Sequence, residues 1–211
     1  MTNDTFCGGG PAIGRSASAT RATAETEVSV SISLDSAGGG DAPAAASINS
    51  GCGFLNHMLT LFSFHSGFAL SVSARGDTDV DFHHLTEDIG ITLGACIKKA
   101  LGDCRGIARY ASLTLPMDEA LVLIALDISG RAYLNYDVQI SAQKAGDFDT
   151  ELAEEFLAGL CRAMGLTLHV KMLYGKNAHH ILEAIFKGLG RALRIAAAAG
   201  GGAIPSSKGG I

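Results

Sequence analysis

The sequence predicts an α+β fold made by tandem duplication: two similar half-domains, each a small sheet with helices on one face. Three observations carry this. The pattern HHxxE occurs twice, as His83-His84-Leu85-Thr86-Glu87 and as His179-His180-Ile181-Leu182-Glu183, and takes up four of the seven histidines. A glycine-led apolar segment precedes each copy, Gly67-Phe68-Ala69-Leu70-Ser71-Val72 being answered by Gly165-Leu166-Thr167-Leu168-His169-Val170. Ahead of these segments, His57 and Glu155 hold matching places in two helix candidates.

The elements follow in order. Residues 1–20, small and polar with Gly8-Gly9-Gly10, read as a flexible leader. From Glu25 to Asp35, Thr26, Val28, Val30, Ile32 and Leu34 alternate at the strand period of two. The Gly/Ala/Pro-rich stretch 36–47 is a turn or mobile loop. Residues 54–66 form an apolar helix, Phe68–Ala74 a strand, and HHxxE opens a helix that runs to about Leu101. In the second half, Ala120–Ile128 and Tyr133–Ile140 are strands and Asp149–Met164 a helix. Leu166–Met172 is a further strand, and HHxxE opens a last helix to about Ala199. The half-repeats are 21–104 and 105–199, each a strand–helix–strand–helix unit, followed by a tail over 200–211.

Composition narrows the class. At 211 residues with 47% hydrophobic content, the chain can fill a core of ordinary size. A mean hydropathy of +0.27 points to extensive subunit contact. A net charge of −5 leaves no basic footprint for nucleic acid. Cys7, Cys52, Cys96, Cys104 and Cys161 are scattered and odd in number with no CxxC pair, which speaks against a disulfide framework or a zinc knuckle. No apolar run approaches a membrane span and residues 1–20 lack a secretory core, so a cytoplasmic setting is expected.

The duplicated motif carries chemistry. At about 100° per residue, His179, Glu183 and Lys187 lie along one side of a helix. Leu182, Ile185, Phe186, Leu189 and Leu193 form its buried side, so the polar row is expected to face outward. His180 points about 100° away from His179, so one pair cannot easily serve one metal. Two pairs brought together by a pseudo-twofold can serve two. Each metal would take a histidine from each half and a carboxylate from Glu87 or Glu183, with His57 and Glu155 completing the sets. Nitrogen and oxygen ligands without thiolate suit manganese, iron, nickel or zinc, and manganese is favoured as carboxylates accumulate. His65 and His169, isolated in apolar contexts, are read as packing residues or as supports behind the ligands. Arg109, Arg131, Lys187 and Lys208 are far apart in sequence, but Lys187 lies one turn beyond the ligand candidates, where a cation could receive a phosphate.

These residues resemble the imidazoleglycerol-phosphate dehydratase family. The resemblance is carried by Gly53-Phe54-Leu55-Asn56-His57-Met58-Leu59, His83-His84-Leu85-Thr86-Glu87-Asp88, Pro116-Met117-Asp118-Glu119-Ala120 and Asp127-Ile128-Ser129-Gly130-Arg131. Asn177-Ala178-His179-His180, Glu183-Ala184-Ile185-Phe186-Lys187 and Pro205-Ser206-Ser207-Lys208-Gly209 extend it, so that it runs from about Arg21 to Gly209. It implies a dehydratase domain over 21–209 that converts D-erythro-imidazole glycerol phosphate to imidazole-acetol phosphate in histidine biosynthesis. With no phosphatase-like extension, the stand-alone form is expected.

The resemblance also implies roles. Two Mn2+ per active site are expected, one held by His57, His84, His179 and Glu183, the other by His83, Glu87, Glu155 and His180. The substrate phosphate would meet Arg109, Arg131, Lys187, Ser206, Ser207 and Lys208 in part on the C-terminal tail, and Glu25 would transfer protons. The proton to be removed sits on a carbon with no adjacent carbonyl, so the metals are expected to act as Lewis acids and template. The family assembles as 24 subunits built from trimers with sites at subunit interfaces. Asn56 stands where the family usually has Asp, Phe82 where an acidic residue is common, Leu85 where Thr is frequent, and Glu155 where many members have His. Two other classes stay open at this point. A binuclear metallohydrolase would show Asp-rich bridging ligands at strand ends, and a non-enzymatic metal-binding protein would have no use for Glu25 or the cations.

Overall fold

The computed structural model describes residues 14–35, 47–200 and 203–207. The first half contains strands β1 (Ser16–Ala22), β2 (Thr26–Ser33) and β3 (Ser47–Asn49), helix α1 (Gly53–Ser66), strand β4 (Ala69–Gly76) and helix α2 (His83–Leu101). The second repeats that order with β5 (Tyr110–Met117), β6 (Ala120–Asp127), β7 (Tyr133–Asp137), α3 (Leu152–Met164), β10 (Thr167–Tyr174) and α4 (Ala178–Ala196). A small hairpin, β8 (Lys144–Ala145) and β9 (Phe148–Asp149), is inserted before α3. Each half has a four-stranded sheet, ordered β1-β2-β4-β3 and β5-β6-β10-β7, with the first three strands antiparallel and the last pairing parallel.

The duplication reaches the level of register. Ile32 faces Leu70 as Leu126 faces Leu168, and Arg21 faces Val28 as Leu115 faces Val122. Period two accounts for the inward rows Val28, Val30, Ile32 and Val122, Ile124, Leu126, all buried. Both α1 and α3 stop at a left-handed glycine, Gly67 (φ 72°) and Gly165 (φ 75°), where a side chain would be strained. These are the glycines that mark the repeated segments in the sequence.

The helices pack across the halves. α2 lies over the first sheet and α4 over the second, while α1 packs on α4 and α2 on α3. One continuous core of buried residues from both halves results. The α2–α3 crossing is close because it runs over glycines: a Cβ at Gly94 would stand 2.5 Å from the Leu160 carbonyl oxygen, and one at Gly159 2.8 Å from that of Glu87. No described helix is long and apolar enough to cross a membrane.

The α+β duplication is as expected, but the repeating unit is βββαβα rather than strand–helix–strand–helix. The flexible leader over 1–20 is corrected from Gly14 onward, because Ser16–Ala22 pairs with β2 along its whole length. Residues 1–13 and the loop over 36–46 lie outside the described residues. β1, β3 and β5 are all edge strands, half-exposed and therefore weak in hydrophobic alternation, and β5 carries Pro116 near its end. The expected helix start at Asp149 moves to Leu152, because Phe148 and Asp149 belong to the hairpin. The strand expected to reach Ile140 ends at Asp137.

Candidate active site

Each HHxxE segment starts its helix at a matched side-chain cap. Asp81 Oδ1 accepts the N–H of His83 at 2.7 Å, and Asn177 Oδ1 accepts those of His179 at 2.9 Å and His180 at 3.4 Å. The cap sets both histidines in the first turn and the glutamate one turn on. α1 is capped from the other half, with Asp147 accepting the N–H groups of Gly53 at 3.0 Å and Phe54 at 3.2 Å. The α1–α4 packing then carries His57 onto the second motif.

His57, His179 and Glu183 converge there, with one ligand atom from each inside a 4.8 Å cluster. His57 Nε2 is 2.9 Å from Glu183 Oε1, and His179 Nε2 is 3.6 Å from the same oxygen. Phe54 meets the His179 ring edge-on at 5.2 Å. The polar row of α4 does not simply face outward: Glu183 is only 6% exposed, because α1 covers that side. Burial alone would raise its carboxyl, but hydrogen bonds from Lys187 (2.9 Å) and His57 outweigh that and hold it below the ordinary range. It is therefore an anion aimed at two imidazoles, which is what a divalent cation requires.

The counterpart set does not close in the same way. Among the described residues, His83, Glu87 and Glu155 form no such cluster, and Glu87 is paired with Arg162. His84 and His180 lie apart from both sets and are held alike. Asp77 Oδ2 is 2.9 Å from His84 Nδ1, and Glu119 Oε2 is 2.6 Å from His180 Nδ1. These bonds push both imidazoles above their usual pKa. The His180 bond, with the N–H of Asn177 (2.7 Å), holds Glu119 down to about 2. A carboxylate on Nδ1 fixes the tautomer and leaves Nε2 as the ligand nitrogen. Glu25 Oε2 stands 3.6 Å from His84 Nδ1, and the Glu25–Asp77–His84 atoms form the second cluster of potential ligands.

The cations divide into two groups. Arg109, at φ +74°, clasps Asp127 through Nε (2.7 Å) and Nη2 (3.2 Å), and its Nη1 donates to the Pro205 carbonyl at 2.7 Å. That bond fastens the tail beside it, bringing Ser206 and Ser207 near. Arg131, largely exposed, reaches the same aspartate at 3.9 Å. Lys187 instead stands by Met117, 3.4 Å from its sulfur, at the other end of β5. Arg109 bonds the Ala196 carbonyl through its N–H (2.8 Å), nine residues or about 14 Å along α4 from Lys187. No one phosphate can touch both groups in the same chain. Lys208 lies outside the described residues.

His65 is half-buried, and burial first, then Lys187 and Arg191, lowers its pKa, consistent with a packing role. His169 is exposed on the outer face of β10 beside Tyr133, so it is not a core residue. Sequence reasoning did not single out Asp77, Glu119 or Asp127 for a role. For Glu119 a signal existed: like Glu25, it immediately precedes the second strand of its half's first hairpin.

Comparison with known proteins agrees with this geometry. A family model described as imidazoleglycerol-phosphate dehydratase matches residues 50–193. The imidazoleglycerol-phosphate dehydratase of Azorhizobium caulinodans is 56% identical over 169 residues, covering 79% of this chain and 86% of its own. That of Listeria welshimeri is 56% identical over 151 residues, covering 72% and 78%. Among solved structures, the Staphylococcus aureus enzyme superposes with a TM-score of 0.76 at 43% identity, over 87% of this chain and 99% of that one. The Pyrococcus furiosus enzyme, in complex with (S)-C348, gives 0.79 at 40%, over 92% and 100%. Sequence and fold are thus shared along most of the chain with proteins of one kind, and the chain belongs to the imidazoleglycerol-phosphate dehydratase family of hydro-lyases.

Proposed function

We propose that this protein dehydrates D-erythro-imidazole glycerol phosphate to imidazole-acetol phosphate in histidine biosynthesis, at a site that holds two manganese ions. The observation that carries the reading is the convergence of His57, His179 and Glu183 from opposite halves, an all-N/O donor set around a buried carboxylate. His57, His84, His179 and Glu183 would hold one ion, and His83, Glu87, Glu155 and His180 the other. Bound there, the ions would supply Lewis acidity to the substrate's imidazole ring.

In one chain His84 and His180 are separate from their sets, and Lys187 is far from Arg109 and Arg131. This supports a site completed by neighbouring copies, in line with a 24-subunit assembly of trimers. Arg109, Arg131, Lys187, Ser206, Ser207 and Lys208, drawn from more than one copy, would bind the phosphate. Glu25 would carry protons. Its side chain is 55% exposed, and among the described residues its carboxylate accepts no hydrogen bond, because Asp77 has taken the position on His84. Removal of a carbon-bound proton and departure of the hydroxyl release one water. The free thiols of Cys52, Cys96, Cys104 and Cys161 fit a reducing, cytoplasmic setting.

The test is to strip the protein of metal, restore Mn2+ and assay dehydration of imidazole glycerol phosphate. Turnover that returns with two equivalents per chain is expected. An inactive protein at full occupancy would favour a metal-binding role without catalysis.

A further inference from the structure

The turn that bears Glu25 is fastened from beneath by a buried carboxylate. Asp88, the residue after the first HHxxE, is 6% exposed. Its Oδ1 accepts from Arg21 Nε at 2.6 Å, and its Oδ2 accepts from the hydroxyl of Thr26, itself 4% exposed. The turn above is closed on itself. Thr23 Oγ1 accepts the N–H groups of Glu25 (3.2 Å) and Thr26 (3.0 Å), and the Thr23 N–H donates to the Thr26 carbonyl at 2.9 Å. Glu25 is thus one residue from an anchor that joins the end of β1, the start of β2 and the first turns of α2.

The second half is an internal control. By strand register and motif alignment, Leu115 stands in the place of Arg21, Ala120 in that of Thr26, and Ala184 in that of Asp88. They are 7%, 1% and 0% exposed. The same backbone is therefore built there from apolar packing alone. A carboxylate as buried as that of Asp88 is costly to desolvate, and a buried polar set is often no better for stability than an apolar one of similar volume. The two halves also differ in how the glutamate above is held. Glu119 takes its position from the N–H groups of Lys176 (3.2 Å) and Asn177 and from His180. Glu25, with no such bonds on its carboxylate, depends on its backbone turn.

We propose that Asp88, together with Arg21 and Thr26, is a positioning residue that sets Glu25 for proton transfer. The proposal rests on the reading of Glu25 as the proton-carrying group. The polar trio is kept in the half where the glutamate must stay unbonded and still be accurately placed. It is replaced by leucine and alanines in the half where hydrogen bonds to the glutamate itself do that work. A displacement on the order of 1 Å at a reacting group costs about 100-fold in rate, so a turn released from Asp88 should be felt in turnover rather than in binding.

The experiment transplants the apolar trio of the second half into the first, as R21L/T26A/D88A, beside Thr26→Val, Thr26→Ser and Glu25→Gln in the full-length, Mn2+-loaded protein. The expected triple variant keeps its assembly, its metal content and its unfolding temperature, and its kcat falls roughly 10- to 100-fold with KM little changed. If the triple variant does not fold, the Thr26 pair decides. Valine, which keeps the shape and removes the hydroxyl, should lower kcat, while serine should restore it. Equal kcat for valine, serine and the parent, with Glu25→Gln inactive, overturns the positioning role and leaves the role of Glu25 standing. A Glu25→Gln variant with parental turnover overturns both.

Discussion

Glu25 and Glu119 occupy the same place in the two halves, yet only Glu119 is bonded to the histidine beside it: 2.6 Å to His180 Nδ1, against 3.6 Å from Glu25 to His84 Nδ1. The cause is one position. Asp77 takes the Nδ1 of His84 at 2.9 Å, and its counterpart in the second half is Lys176, which has no carboxylate to offer His180. The two glutamates hold equivalent places, and one aspartate keeps the first of them off its histidine.

That difference predicts opposite phenotypes. Glu119→Gln should weaken Mn2+ affinity about 10- to 100-fold, with turnover recovering at saturating metal, as expected for loss of an orienting partner. Glu25→Gln should bind Mn2+ normally and lose about 100-fold or more in kcat. Metal titration followed by calorimetry, alongside steady-state kinetics, separates the two. Identical phenotypes would mean that the glutamates remain equivalent.

The Glu119–His180 pair should give the metal-free protein a bell-shaped contribution to stability. The folded carboxyl of Glu119 lies near 2, below its ordinary 4.5, so its share is complete above 4.5 and is lost as pH falls toward 2. His180 is raised above its ordinary 6.5, so its share is complete below 6.5 and is lost as pH rises through the raised value. The melting temperature of Glu119→Gln should fall furthest below the parent's between about pH 4.5 and 6.5, and the gap should narrow on either side. A gap that keeps widening above pH 8 would contradict this pairing.

Gly90→Ala should destabilise the protein although alanine is the better helix former by about 1 kcal/mol. A Cβ there would run into the Phe156 carbonyl oxygen of α3, a backbone atom that cannot turn aside. Overpacking of this kind costs about 1–3 kcal/mol, so chemical denaturation should show a lowered midpoint. An unchanged midpoint would mean that α2 and α3 separate at little cost.

Arg109→Lys should raise KM for the phosphorylated substrate about 10-fold or more, since an ammonium cannot clasp Asp127 at two points and still reach the Pro205 carbonyl. Inorganic phosphate should weaken as a competitive inhibitor in parallel. Asp127→Asn should do the same through Arg109 alone, and unaltered phosphate inhibition in both variants would remove this pair from the binding site.

The architecture was legible wherever the signal is local. Val28, Val30 and Ile32 reveal a central strand by alternation, and His179, Glu183 and Lys187 share a helix side by spacing. Gly67 and Gly165 mark helix ends because only glycine sits easily in the left-handed region. The edge strands β1, β3 and β5 were not legible, because their half-exposed residues relax the alternation; of the edges only β7, with Tyr133, Leu134 and Tyr136, was read. In the candidate site the ligand types could be read, but not the carboxylates that hold them: Asp77, Asp88 and Glu119 are ordinary acidic residues until their neighbours are known.

By itself the sequence determined that the chain is duplicated, that each half presents a His-His-Glu helix start, and that cations and a tail accompany them. All of these are matters of spacing along the chain. Only the tertiary structure decided that His57 reaches Glu183 while His84 turns to Asp77, that Lys187 stands about half the length of α4 from Arg109, and that one trio is polar where its twin is apolar. Those relations depend on how helices from different halves cross and on which strand lies beside which. Distances between residues far apart in sequence are set by packing, which no local pattern encodes.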